Sequence, residues 1–210
     1  VGRRAYLILE FVAIFLLIPV LLATGLMPAR AIPLLIVVSL IICWNLARDQ
    51  SFPRHWLFNK EGLRHHWKDV ALRSGVLVTV LGAGVVWLAP ALLFEYLKSA
   101  PLLWAGLMVL YPLLSVIPQE IVYRAFFFHR YGELFEKPRS LLLVNAAVFG
   151  FAHLVMGNWI SVVLSGIGGL LFAQTYQRSK SLLLTSIEHA VFGNFIFTIG
   201  LGQYFLQKAA

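Results

Sequence analysis

The chain has 210 residues, 60% of them hydrophobic and only 12% charged, with a mean hydropathy of +0.83. A soluble domain of this length cannot bury that much apolar surface, which points to an all-α, polytopic transmembrane helical bundle. The formal charge of +8 does not mark a nucleic-acid binder, because the Lys and Arg residues lie between apolar runs and not on a basic module.

Arg3 and Arg4 precede a first run, Ala5 to Gly25, long enough to cross a hydrocarbon core of about 30 Å. It exceeds a signal-peptide apolar region and has no clear small-x-small cleavage site, so it is kept as a mature helix. Glu10 within it is given a structural role. A turn at Met27–Arg30 leads to a second span, Ile32 to about Ala47, which holds the single cysteine, Cys43. One cysteine excludes an intramolecular disulfide and a cysteine metal cluster.

Arg48 to Arg73 is the longest polar connection. Its six basic residues alternate with Phe52, Trp56, Phe58 and Trp67, a mixture suited to the headgroup level. His65 and His66 are adjacent, so on a helix they point apart, and they are taken as surface. The third span is predicted from about Val70 to Tyr96. The fourth apolar region, Pro101 to Phe128, would make roughly 42 Å of straight helix, longer than a membrane core. Pro112 and Pro118 can interrupt it, and a break near Pro118 would free backbone groups beside Gln119 and Glu120.

Leu141 to about Met156 is a short fifth segment. Trp159 to Tyr176 is the sixth, with Gly166, Gly168 and Gly169 as a close-packing face. Leu182 to Phe205 is the seventh, and it buries Glu188, His189 and Asn194. About seven spans are thus predicted in a single integral-membrane domain, 1–210, with N-terminal spans over 1–100 and a motif-bearing core over 101–206. With the N-terminus cytoplasmic, fourteen of the 17 Lys and Arg residues fall inside, leaving Arg30, Lys98 and Lys208 outside.

Four polar groups lie within apolar segments: Glu120 with Arg124, His153, His189, and Asn194. Glu120 and Arg124 are four apart and share a helix face. They form either a structural ion pair or a carboxylate held for chemistry. A lone buried histidine is more often a hydrogen-bond partner between helices than a catalyst. Two histidines and a carboxylate on three helices instead suggest one water-filled pocket. His153 and His189 are each followed, four residues on, by glycine, on the same helical face.

Gln119-Glu120-x-x-x-Arg124, Phe149-x-x-x-His153, and His189 followed by Asn194 together resemble the CPBP family of intramembrane proteases. That family includes CAAX prenyl endopeptidases and bacteriocin-processing and self-immunity proteins. The resemblance covers about Tyr111 to Phe205. It implies a glutamic-type endopeptidase that uses no metal or other cofactor. In such an enzyme a glutamate and a histidine activate water, and the last His and Asn stabilise the oxyanion. Glu120, His153, His189 and Asn194 are the implied catalytic residues, supported by Gln119, Arg124 and Phe149. The implied partners are the lipid bilayer and a membrane-associated peptide or protein.

Two departures stand out. The family's first glutamate is Gln119 here, and a carboxamide orients water but cannot take its proton. Either Glu120 or His153 then serves as base, or the site is silent and the protein binds a membrane peptide without cleaving it. Asn194 follows His189 by five residues, not four, and so lies some 140° off the histidine's face. A transporter with a His/Glu proton relay is a further alternative, though no inverted repeat is evident. A zinc peptidase lacks the His-Glu-x-x-His signature.

Overall fold

The computed structural model describes residues 2–206, so Lys208, counted above as an outer charge, lies outside the described residues. Seven principal helices follow one another: α1 (Arg3–Ala23), α2 (Ala31–Arg48), α3 (Lys60–Leu88), α4 (Pro101–Leu134), α5 (Pro138–Ala152), α6 (Trp159–Ser179) and α7 (Leu182–Thr198). Six apolar helical stretches have the length to span a bilayer; α7, at 17 residues, is shorter. The all-α polytopic bundle is therefore as expected.

Large apolar side chains cover the outside. Trp87, Leu88 and Leu102 are 86%, 87% and 89% exposed, which a water-soluble surface does not tolerate in such numbers and a lipid-facing one requires. Inside, aromatic rings replace aliphatic packing. Phe15 of α1 meets Tyr123, Phe127 and Tyr131 of α4 edge-on, with centroids 5.2 to 5.8 Å apart. Helices α5 and α6 approach closely because Gly150 and Gly169 lack side chains. A Cβ on Gly150 would lie 2.8 Å from the Val162 carbonyl oxygen, and one on Gly169 would lie 2.9 Å from the Phe149 ring.

Contacts among the helix ends sort the connections onto two sides. Arg3 pairs with Glu133, and His129 lies 2.8 Å from Asp49. Asn59 caps α3 by accepting from the Gly62 amide, and it donates to the Ser179 carbonyl at the end of α6. The start of α1, the α2–α3 connection, the end of α4 and the α6–α7 turn therefore share one side. On the other, Asn158 caps α6 through the Ser161 amide and donates to the Tyr204 carbonyl, while Gly200 sits against Leu92. An alternating path of seven crossings produces this arrangement.

Two segments depart from expectation. Helix α3 begins at Lys60, ten residues before the predicted span, because the Asn59 cap starts it within the polar connection; it ends at Leu88. Helix α4 is not broken at Pro118. It runs through, widened into π-helical turns at Pro112–Val116 and Ile121–Phe126. Pro19 in α1 is likewise preceded by a π-helical turn, Ala13–Leu17. A wider turn accommodates the proline ring and its missing N–H without ending the helix. Asn145 of α5 donates to the Tyr123 carbonyl, at 2.7 Å, inside the second widened turn of α4.

Candidate active site

Glu120 sits between the two π-helical turns of α4 and is fully buried. Its Oε1 lies 2.9 Å from His189 Nδ1 on α7. Its Oε2 is 3.4 Å from Arg124 Nε, close enough for charge pairing but without an aligned hydrogen bond. Arg124 is also fully buried and donates to the Gly169 carbonyl at 3.2 Å. Its guanidinium lies over the ring of Phe149 at 4.5 Å and that of Phe172 at 5.6 Å. The positive charge thus faces a carboxylate, a carbonyl and two aromatic faces, a set that offsets the cost of desolvating it.

His189 is 5% exposed and held on every side. Phe172 stacks on it at 4.5 Å and Phe149 meets it edge-on at 5.6 Å. Its second nitrogen, Nε2, lies 3.1 Å from the Tyr111 hydroxyl of α4. Gly193, one turn further along α7, makes room for that phenol: a Cβ there would fall on the Tyr111 ring and hydroxyl.

His153 begins the single 3-10 turn that follows α5. Its Nδ1 is 2.8 Å from the Phe149 carbonyl. A carbonyl only accepts, so Nδ1 carries the hydrogen and Nε2 keeps its lone pair. Nε2 has no hydrogen-bond partner among the described residues. Gln119 donates to Ser115 Oγ at 2.7 Å, and its Oε1 is buried with no hydrogen-bond partner.

These groups meet at a cavity of about 440 Å³ whose wall includes Tyr111, Ser115, Gln119, Phe149, His153 and His189. The rest of the wall is largely aliphatic. It reaches the outward-facing Ile32, Leu110 and Leu114, so the cavity is continuous with the lipid-facing surface. Gln119 of α4 and His153 at the end of α5 both line this wall.

Not all of the predicted residues reach it. Glu120 and Arg124 lie behind the wall, Glu120 joined to it through His189. Asn194 donates its amide to the Met108 carbonyl at 3.2 Å and does not line the cavity, whereas its neighbour Gly193 does. This is the angular offset that five-residue spacing produces.

The bonding of three residues escapes the sequence reading. Tyr111 looks like one more aromatic in an apolar run. Asn145 is a fully buried carboxamide that bonds across to α4, and a polar residue deep in α5 is its signal. Glu188, beside His189, is fully buried and bonded to Arg73 of α3 at 2.5 Å and to the Thr175 hydroxyl of α6 at 2.5 Å; Arg73 also contacts that hydroxyl. Arg73 had been counted only as a loop charge. Among the described residues, no three His, Cys, Asp or Glu side chains come together as a metal site.

A buried Glu–His–Tyr chain thus opens onto an apolar cavity within a polytopic helical bundle. Residues 99–195, slightly less than half of the chain, match the model of the Rce1-like type II CAAX prenyl endopeptidases. That segment is similar to the Rce1-like CAAX prenyl endopeptidases, and residues 1–98 lie outside the match. No curated protein and no solved structure matches the chain.

Proposed function

We propose that the chain is an intramembrane endopeptidase of the glutamic type, cleaving a membrane-associated peptide or protein at the mouth of this cavity. The observation that carries the proposal is the 2.9 Å pairing of Glu120 with His189, on a wall shared with His153 and Gln119. Water enters between Gln119 and His153. The unpartnered Oε1 of Gln119 accepts a hydrogen from it and aims it, and Nε2 of His153 takes its proton as it attacks the amide carbonyl. The Glu120–His189 pair, fixed by Arg124 and the two phenylalanines, stabilises the charge developing on the carbonyl oxygen. His153 then returns the proton to the departing amine. Glu120 acts from behind His189 and not on the water, since it has no share of the cavity wall.

The N-terminus is cytoplasmic in this proposal, which places the cluster of basic connections on the side the positive-inside rule favours. The chain works as one unit, 1–210. The spans within 1–100 brace the motif-bearing core through Arg73–Glu188 and the packing of Phe15 on Tyr123.

The test is cleavage of a membrane peptide by purified protein in chelator. Glu120→Gln and His153→Ala should each lower turnover at least 100-fold, and Gln119→Glu should raise it. Full turnover in both Glu120→Gln and His153→Ala would overturn the mechanism. Gln119 also favours a second function, in which the protein holds a membrane peptide without cleaving it. Its amide is already committed to Ser115, and it has no proton-accepting group. Retained peptide binding with no turnover, and turnover acquired in Gln119→Glu, would establish that function instead.

A further inference from the structure

We infer that Tyr111 is a catalytic residue of this site: its hydroxyl is the donor that meets the carbonyl oxygen of the scissile amide, with His189 acting behind it. This rests on the hydrolase proposed above and changes which atom touches the substrate. His189 Nδ1 is taken by Glu120 and its Nε2 by Tyr111, so the imidazole has no nitrogen free to face the cavity. The group bonded to Nε2 is the Tyr111 hydroxyl, and Tyr111 is a partly exposed residue of the same cavity wall.

The phenol is also seated. Gly193 lies against its ring and hydroxyl, where any side chain would displace it, and Phe197 meets its ring edge-on at 5.3 Å. No other hydrogen bond to Tyr111 occurs among the described residues.

The heavy-atom distances define a relay. The relay requires a hydrogen on each imidazole nitrogen: Nδ1–H then donates to Glu120, Nε2–H donates to the phenol oxygen, and the phenol hydrogen is left for the substrate. The attacking water forms the C–O bond and gives its proton to His153. The carbonyl π pair moves onto oxygen, which accepts the Tyr111 hydrogen bond. As that pair returns, the C–N bond breaks and nitrogen takes the proton from His153. Tyr111 keeps its own proton throughout and forms no covalent bond.

Tyr111→Phe removes only the oxygen and keeps both ring contacts. In the purified full chain it should lower kcat by about 10²–10³-fold, the usual loss of one oxyanion donor. KM should stay within about twofold, and the thermal unfolding midpoint should be unchanged. A phosphinate peptide, whose tetrahedral centre imitates the oxyanion, should bind about 100-fold more weakly to this variant, while the substrate peptide binds equally well to both. Gly193→Ala, which pushes the phenol aside, should reproduce the loss in kcat. If wild-type turnover is too low to measure, the same comparisons are made in the Gln119→Glu background.

Wild-type kcat and phosphinate affinity in Tyr111→Phe, with activity lost in Glu120→Gln and His153→Ala, would refute the role of Tyr111 and leave the hydrolase standing. If neither background cleaves the peptide or prefers the phosphinate, both ideas fall together.

Discussion

Replacing Arg73 by methionine should destabilise the protein by about 3 kcal/mol. The guanidinium joins α3 to a glutamate on α7 whose side chain is 0% exposed, while Arg73 itself is 24% exposed. Breaking a buried ion pair by removing one partner costs about 3–5 kcal/mol, because the other charge is stranded. The lower end applies here, since the Thr175 hydroxyl still donates to Glu188. Glu188→Leu should cost less, about 1–2 kcal/mol, because the partly exposed Arg73 can turn toward water. The double variant Arg73→Met/Glu188→Leu leaves no stranded charge and should cost less than the two single changes added together, by about 1–3 kcal/mol. Equilibrium unfolding of the detergent-solubilised protein, followed by helical circular dichroism against denaturing detergent, measures each value. Strictly additive costs, or an Arg73→Met variant within about 0.5 kcal/mol of wild type, would refute the view that this pair anchors α7.

Asn145→Leu should cost about 1–3 kcal/mol by removing the buried bond to the Tyr123 carbonyl in the widened turn, as the same unfolding assay would register. Gly62→Ala places a methyl on the Ser179 carbonyl oxygen and should destabilise by about 1–3 kcal/mol, with faster proteolysis at the α2–α3 connection. At the membrane edge, the Ser51 hydroxyl, then the His129 ring and the Ser51 amide, hold the Asp49 carboxyl below the usual carboxylate range. Its lowered pKa means the stabilisation is present above the ordinary carboxylate pKa of about 4 and fades as pH falls through the folded value. Unfolding midpoints of wild type and Asp49→Asn should therefore differ at neutral pH and converge in acid; a constant gap would exclude this contribution.

The helical bundle was legible because apolar runs of membrane-crossing length leave few other folds open. The polar residues were legible for the same reason, since Glu120, His153 and His189 stand out against an apolar background. What they bond to was not. Arg73 and Glu188 are 115 residues apart, and no local pattern pairs them. Tyr111 shares its residue type with the aromatic core, so only its hydrogen bond distinguishes it. A break at Pro118 treats proline as a helix terminator, whereas a membrane helix without water to bond its freed carbonyls widens a turn instead. The start of α3 was more accessible, because Asn59 has the residue type and position of a helix cap. The offset of Asn194 followed directly from counting five residues around a helix.

Glu120 has no window on the hollow it serves. Arg124 lies on one flank and the His189 ring on the other, and a hydrogen-bonded path from the acid to the hollow runs through the imidazole and then the phenol. In the proposed hydrolase, whatever fills the hollow therefore senses the acid only at second hand, through the imidazole and the Tyr111 hydroxyl.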